Sequence, residues 1–179
     1  MILSSDVIIR RLSLCDAPFV MRLYNQPSFI RFIADKHITD ITAAEQYIST
    51  GPMACFAENG FALDLVSIPG LEHPTVTTSM LPIGVCGLLQ RPELAHPDLG
   101  FALLDEYAGQ GYAFAACQAV LEHALTELKL ENILAIVLPT NTRSVTLLER
   151  LGFVLEGDIN LYGQTNRLYH YSSNPSVSV

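Results

Sequence analysis

Gly109 and Gly111 sit between an apolar run that starts at Asp98 and an alanine-rich segment, AFAACQAVLEHALTEL, that starts at Ala113. Glycines at the start of a helix let consecutive backbone N–H groups converge on one point, where the helix N-terminus adds partial positive charge. The chemistry such a turn offers is anion binding, most often of phosphate. A tight strand-to-helix turn without a ligand fits the same residues. A second polar group follows in NTRSVTLLERL: Asn141 and Ser144 lie one helical turn apart and share a face. Asn141 is placed to cap that helix after Pro139-Thr140, and Ser144 either bonds its own backbone or faces a ligand. Asp98 opens the apolar run directly after His96-Pro97. Strand alternation puts Asp98, Gly100 and Ala102 on one face, with Leu99, Phe101 and Leu103 on the other.

Other chemistries lack their residues. The four cysteines, Cys15, Cys55, Cys86 and Cys117, form no C-x-x-C pair and have no histidines at zinc-ligand spacing. They read as free thiols in a reducing compartment, with no metal site. Neither Cys86, in a strand, nor Cys117, on the helix after the glycine loop, has a histidine partner evident in the sequence, which speaks against a covalent thiol route. The G-x-S-x-G elbow, the G-x-x-x-x-G-K-[ST] loop and G-x-G-x-x-G are all absent.

Length and composition set the frame for these residues. The chain has 179 residues, 50% of them hydrophobic and 16% charged, which suits one globular domain with a sizeable core. A formal net charge of −8 with no basic run excludes nucleic acid as the main partner and is compatible with a cationic acceptor. The amino-terminal MILSSDVIIRRL does not read as a secretory leader, and no apolar run approaches membrane-spanning length. These features predict a cytoplasmic protein without membrane partners.

The elements that must position the polar residues follow in order. Val7 to Leu12 reads as a strand, and Asp16 as the cap of a helix over APFVMRLYN. Thr42 to Glu45 fits a capping box opening a second helix. Phe61 to Ile68 and Leu81 to Gln90 read as strands; Gly84 and Gly87 in the latter mark a close approach or a bulge. Pro69 to Ser79 reads as a loop. Asp98 to Leu104 is a strand, followed by the glycine loop and its long helix. Glu131 to Leu138 is a strand, Asn141 to Leu151 a helix, and Val154 to Ile159 and Arg167 to Tyr171 are the last strands. Residues 1–171 form one domain, and 172–179 read as a frayed tail. Early strands followed by a β-α-β-α-β run give a mixed α/β sheet.

Two stretches resemble a known family. DLGFALLDEYAGQGYA, from Asp98 to Ala113, is similar to the acetyl-CoA-binding motif of the GNAT superfamily of N-acetyltransferases, Arg/Gln-x-x-Gly-x-Gly/Ala after a strand. Gly111 and Ala113 fill its last positions, and Ala108 stands where Arg or Gln is usual. NTRSVTLLERLGFVLEG resembles the family's second signature at Asn141, Ser144, Gly152, Phe153, Glu156 and Gly157. The closest resemblance is to the Rim-type branch of ribosomal-protein N-terminal acetyltransferases.

The resemblance implies a mostly antiparallel central sheet flanked by helices, a four-strand antiparallel half joined to a parallel half, and a cofactor cleft where the parallel strands splay. It implies acetyl-CoA as cosubstrate. Gly109, Gln110, Gly111, Tyr112 and Ala113 would hold the pyrophosphate. Leu103 and Leu104 would meet pantetheine by main chain beside a strand bulge, and Asn141 would bond the pantetheine arm. Ser144 would serve as acid to the leaving thiolate, and Asp98 as general base for a primary amine. The early helices would lie on the acceptor side of a monomer or homodimer. The alternative is a CoA-binding sensor or interaction module that no longer transfers acetyl groups.

Overall fold

The computed structural model describes residues 1–3, 6–70 and 80–173. Most of the expected 69–79 loop, and the tail beyond Ser173, lie outside the described residues. Among the described residues eight strands make one sheet: β1 (Ile2–Leu3), β2 (Ile8–Arg11), β3 (Leu63–Pro69), β4 (Met80–Leu89), β5 (Asp98–Leu103), β6 (Asn132–Val137), β7 (Val154–Leu161) and β8 (Gln164–Ser172). Their order is β1-β2-β3-β4-β5-β6-β8-β7. Every neighbouring pair is antiparallel except β5–β6. The expected parallel half is therefore a single parallel pair, because β8 returns antiparallel beside β6. Ser172, expected in the frayed tail, closes β8 opposite Asn132.

Among the described residues six α-helices cover the sheet: α1 (Ala17–Tyr24), α2 (Pro27–Phe32), α3 (Ile41–Ile48), α4 (Ala54–Asn59), α5 (Tyr112–Thr126) and α6 (Thr142–Arg150). On one face, Ala116, Cys117, Val120 and Ala124 of α5 and Val145 and Leu148 of α6 pack on Ile83, Cys86, Leu99, Ile133 and Tyr169. On the other, Ala17, Val20 and Leu23 of α1, Phe29 of α2 and Ala44 and Ile48 of α3 pack on Leu65, Val85 and Leu104. Removing this apolar surface from water is the main drive for both layers.

Two helix starts differ from expectation. Asp16 occupies the cap position of α1, but its carboxylate accepts from Arg10, from the Ser13 backbone N–H and from the Ser13 hydroxyl instead of from the helix. α3 begins one residue before Thr42, because the Asp40 carboxylate accepts from the Ala43 N–H at 2.8 Å and outcompetes the hydroxyl of Thr42 for the cap.

Close approach explains the glycines of β4. A Cβ on Gly84 would lie 2.3 Å from the Ala102 carbonyl, and one on Gly87 would lie 2.0 Å from the Ala62 carbonyl. The register irregularity of this region lies in the β3–β4 ladder, between Val66 and Ser67.

Candidate active site

The parallel pair creates the site. β5 and β6 are in register at Asp98–Leu134, where the Leu134 N–H donates to the Pro97 carbonyl. Beyond that point the two strands part. β5 keeps its ladder to β4 without a shift, and the Leu104 N–H continues it to the Ile83 carbonyl at 2.8 Å. Alternation along β5 then aims the N–H groups of Phe101 and Leu103 toward the gap left by β6. The expected bulge near Leu103 is absent; divergence of β6, not a bulge, frees these amides.

A cleft of 510 Å³ fills the gap. Phe101, Ala102 and Leu103 of β5 form its floor, and Gly109, Gly111 and Ala113 one end. Asn141, Ser144 and Leu147 of α6 form a side, and Phe29, Phe32 and Ile33 on the α2 side form the opposite wall. Gly111, with φ +90°, is the N-cap of α5, and Gly109 has φ +77°. A Cβ on either would meet nothing within 4 Å, so these glycines serve backbone conformation and leave open space above the loop. A helix N-terminus, left-handed glycines and open space together make a cradle that fits a phosphate. Unpaired strand amides along the floor fit an amide-bearing chain.

The residues expected at the site divide. Leu103, Gly109, Gly111, Ala113, Asn141 and Ser144 line the cleft. Asn141 also caps α6, its Oδ1 accepting from the Ser144 N–H at 3.3 Å, so the helix-cap role is realised within the cleft wall. Among the described residues the Ser144 hydroxyl has no protein partner. Leu104 does not line the cleft: it is 1% exposed, and its N–H belongs to the β4 ladder. Gln110 turns its amide to the Glu106 carbonyl, and the Tyr112 ring packs edge-on to Tyr107 against the core.

Asp98 does not reach the cleft. It lies about 10 Å of extended strand before Phe101, the first β5 residue that lines the cavity. The room expected over Gly100 is taken by Leu89 and Leu63, whose side chains would stand 2.5 and 3.2 Å from a Cβ there. Asp98 is 1% exposed, and both its oxygens accept from Arg91 Nε at 3.0 Å. Burial pushes its carboxyl up to about 6, against the pull of the Arg91 charge and hydrogen bonds. Arg91 Nη1 in turn donates to the Tyr162 hydroxyl at 3.2 Å, beyond the end of β7. His96 stacks on His170, with ring centroids 6.4 Å apart.

Arg143 and Arg150 also line the cleft, and Phe114 lies beneath the Arg150 guanidinium at 4.8 Å. The sequence holds a signal for them: 143, 146 and 150 recur at helical spacing on one face of α6. The resemblance places the early helices on the acceptor side without naming residues; the fold brings Phe29, Phe32 and Ile33 to the gap.

Comparison with known proteins agrees with this architecture. The chain superposes on an acetyltransferase from Agrobacterium tumefaciens with a TM-score of 0.77 at 21% identity, covering 96% of this chain and 94% of that one. It superposes equally, TM-score 0.77 at 16% identity over 94% and 95%, on RimL, a ribosomal-protein alpha-N-acetyltransferase solved with coenzyme A. The fold is thus that of the acetyltransferases. In sequence, residues 6–154 match the acetyltransferase (GNAT) domain family. An uncharacterized N-acetyltransferase, p20, of Bacillus licheniformis is 26% identical over 158 residues, 86% of this chain and 82% of that protein. The chain belongs to the GNAT acetyltransferase family, whose chemistry is acyl transfer.

Proposed function

We propose that the protein transfers an acetyl group from acetyl-CoA to a primary amine by direct attack, both reactants meeting in the cleft between β5 and β6. One observation carries this reading: the open edge of β5, the glycine-turned start of α5 and the Asn141–Ser144 face of α6 all line one cavity. Acetyl-CoA supplies the acyl group as a thioester. The glycine cradle would hold its pyrophosphate, helped by Arg143 and Arg150. The Phe101 and Leu103 N–H groups and the Asn141 side chain would bond the pantetheine amides. A donor fixed on a rigid strand also stabilises negative charge developing on a carbonyl oxygen, at no reorganisation cost. Ser144 Oγ–H is free to donate to the departing thiolate.

Asp98 takes a different part from the expected base. A proton would have to pass Leu89 and Leu63 to reach a carboxylate already held by Arg91. We assign Asp98 to the closed end of the gap, where with Arg91 and Tyr162 it pins the β4–β5 loop, β5 and the β7–β8 turn together. The acceptor amine, protonated near neutral pH, first gives its proton to water and then attacks the thioester carbonyl as the neutral amine, with the thiolate as leaving group. Alignment of the two reactants in one cleft supplies much of the rate in this reading. The acceptor enters past Phe29, Phe32 and Ile33.

The withdrawal of Asp98 from the cleft also favours a second reading, a CoA-binding module without transferase activity. Calorimetric titration with acetyl-CoA and CoA, followed by thiol detection across an amine panel, separates the readings. Saturable binding with thiol release supports the transferase. Binding without release on any amine supports the module. Absence of binding by folded protein overturns both. Gly111→Glu places bulk and a like charge in the cradle and should abolish binding; retained affinity would move the phosphate site elsewhere.

A further inference from the structure

Gln26 stands between α1 and α2, where its backbone caps α2. Its side chain reaches across to β5. Nε2 donates to the Leu103 carbonyl at 3.3 Å, and Oε1 accepts from the Asp105 N–H at 2.8 Å. A residue in a parallel ladder bonds the strand beside it in this pattern, its N–H to the carbonyl before a given residue and its C=O to the N–H after it. The Gln26 amide therefore occupies one position of a parallel strand opposite Leu104. It does so on the side of β5 that β6 has left.

Two consequences follow for the cleft. First, the open edge of β5 is bounded at both ends, by Leu134 at Pro97 and by Gln26 at Leu103. Between them the Leu99 C=O, the Phe101 N–H and C=O and the Leu103 N–H face the side that β6 leaves. A chain bearing amides that bonds the Leu103 N–H meets a stop there, because the next carbonyl is already taken, and its register along β5 is set from that end. Second, Gln26 immediately precedes Pro27, and α2 supplies Phe29 and Phe32 to the opposite wall. The same amide ties the acceptor-side wall to the strand that would hold the acyl donor.

We propose that Gln26 is a positioning residue, a one-residue surrogate strand that sets the register of acetyl-CoA along β5 and holds the α2 wall against it. This inference rests on the acetyl-CoA reading above and acts through Leu103 and Asp105; Gln26 itself touches no reacting atom.

Three substitutions test it, each beside the wild type. Gln26→Met keeps length and removes all three side-chain hydrogen bonds, the two to β5 and a third from Nε2 to the Leu23 carbonyl at 3.3 Å. Gln26→Glu keeps the acceptor for Asp105 but sets a carboxylate against the Leu103 carbonyl; when protonated, the acid regains the donor. Gln26→Asn keeps the amide but is too short to bridge. Acetyl-CoA affinity should fall about tenfold in Gln26→Met and Gln26→Asn, the scale of one lost hydrogen bond. It should fall further in Gln26→Glu at pH 8 and return toward the wild type at pH 5. The KM for the amine should rise in all three. A merely structural role would lower melting temperature without that pH-dependent recovery. Wild-type affinity and KM in Gln26→Met, or a Gln26→Glu defect that does not change with pH, overturns the proposal.

Hydrogen exchange separates this failure from failure of the acetyl-CoA reading. The Asp105 amide of the unliganded wild type should exchange slowly, and that of Gln26→Met rapidly, whatever ligand the cleft takes. Equal exchange in the two would show that the clamp does not form.

Discussion

Asp98 shows how a residue's type can suggest one role and its surroundings another. An acid beside small residues on a strand reads as a base facing a substrate. Its neighbours in space are instead Arg91, Leu89 and Leu63. Its folded pKa, about 6, lies above the unfolded value of 3.8. The sign follows directly. Between those values the folded chain binds more protons than the unfolded chain, so this group's contribution is full below about 4 and is lost as pH rises through about 6. Asp98→Asn cannot titrate. The stability difference between variant and wild type should therefore move in the variant's favour by about 2 kcal/mol from pH 4 to pH 7. Denaturant melts at both pH values measure it; a difference that stays constant, or moves the other way, refutes the assignment. The pH–rate profile of the same variant should keep its midpoint, and a shifted midpoint would return Asp98 to the base role.

Among the elements, α6 performs two tasks with one residue. Asn141 Oδ1 caps the helix, and the side chain lines the cleft. Asn141→Ala loses both; the missing cap costs about 1 kcal/mol, or roughly 3 °C in Tm for a domain of this size. Asn141→Asp separates the tasks. Aspartate caps equally well and suits the helix dipole, so Tm should hold. It lacks the amide donor, however, and adds a charge beside an anionic ligand. Acetyl-CoA affinity should drop about tenfold with no loss of Tm; unchanged affinity would leave Asn141 a cap and nothing more. The elements around this helix were legible in sequence because each carries a local signal. Apolar runs bounded by proline and glycine place β5, β6, α5 and α6 within a residue or two of their observed limits. Local signals fail where the competitor is also local: Asp40 and Thr42 are both good caps. No local signal marks Ser49–Met53 either, where the chain passes through one π-helical turn containing Gly51-Pro52 into α4. Half of the cleft was hidden for another reason. Gln26 bonds main-chain groups 77 and 79 residues away, and backbone partners leave no mark in a side-chain pattern.

Across the whole molecule, the sheet is continuous and its two parts share the core beneath α5 and α6, yet the backbone pairing between them is slight. β1–β5 carry α5 and the early helices, while β6, β8 and β7 carry α6. They are in register at Asp98–Leu134, with the Arg91–Tyr162 contact beyond it. The glycine cradle belongs to the first part, and Asn141 and Ser144 belong to the second. A ligand held by both bridges the gap that backbone pairing leaves open. Binding to the folded state alone stabilises it by mass action, about 2.7 kcal/mol at one hundred times Kd. For a domain of this size that is a rise of roughly 5–10 °C in Tm. Any tight ligand does as much; the bridging geometry adds a distribution. Hydrogen exchange should slow together at Phe101 and Leu103 on β5 and in the first turn of α6, with the far edge at β1–β2 unaffected. Slowing confined to β5 and the glycine loop would mean that the ligand rests on one part alone, and that Asn141 and Ser144 line the cleft without holding what enters it.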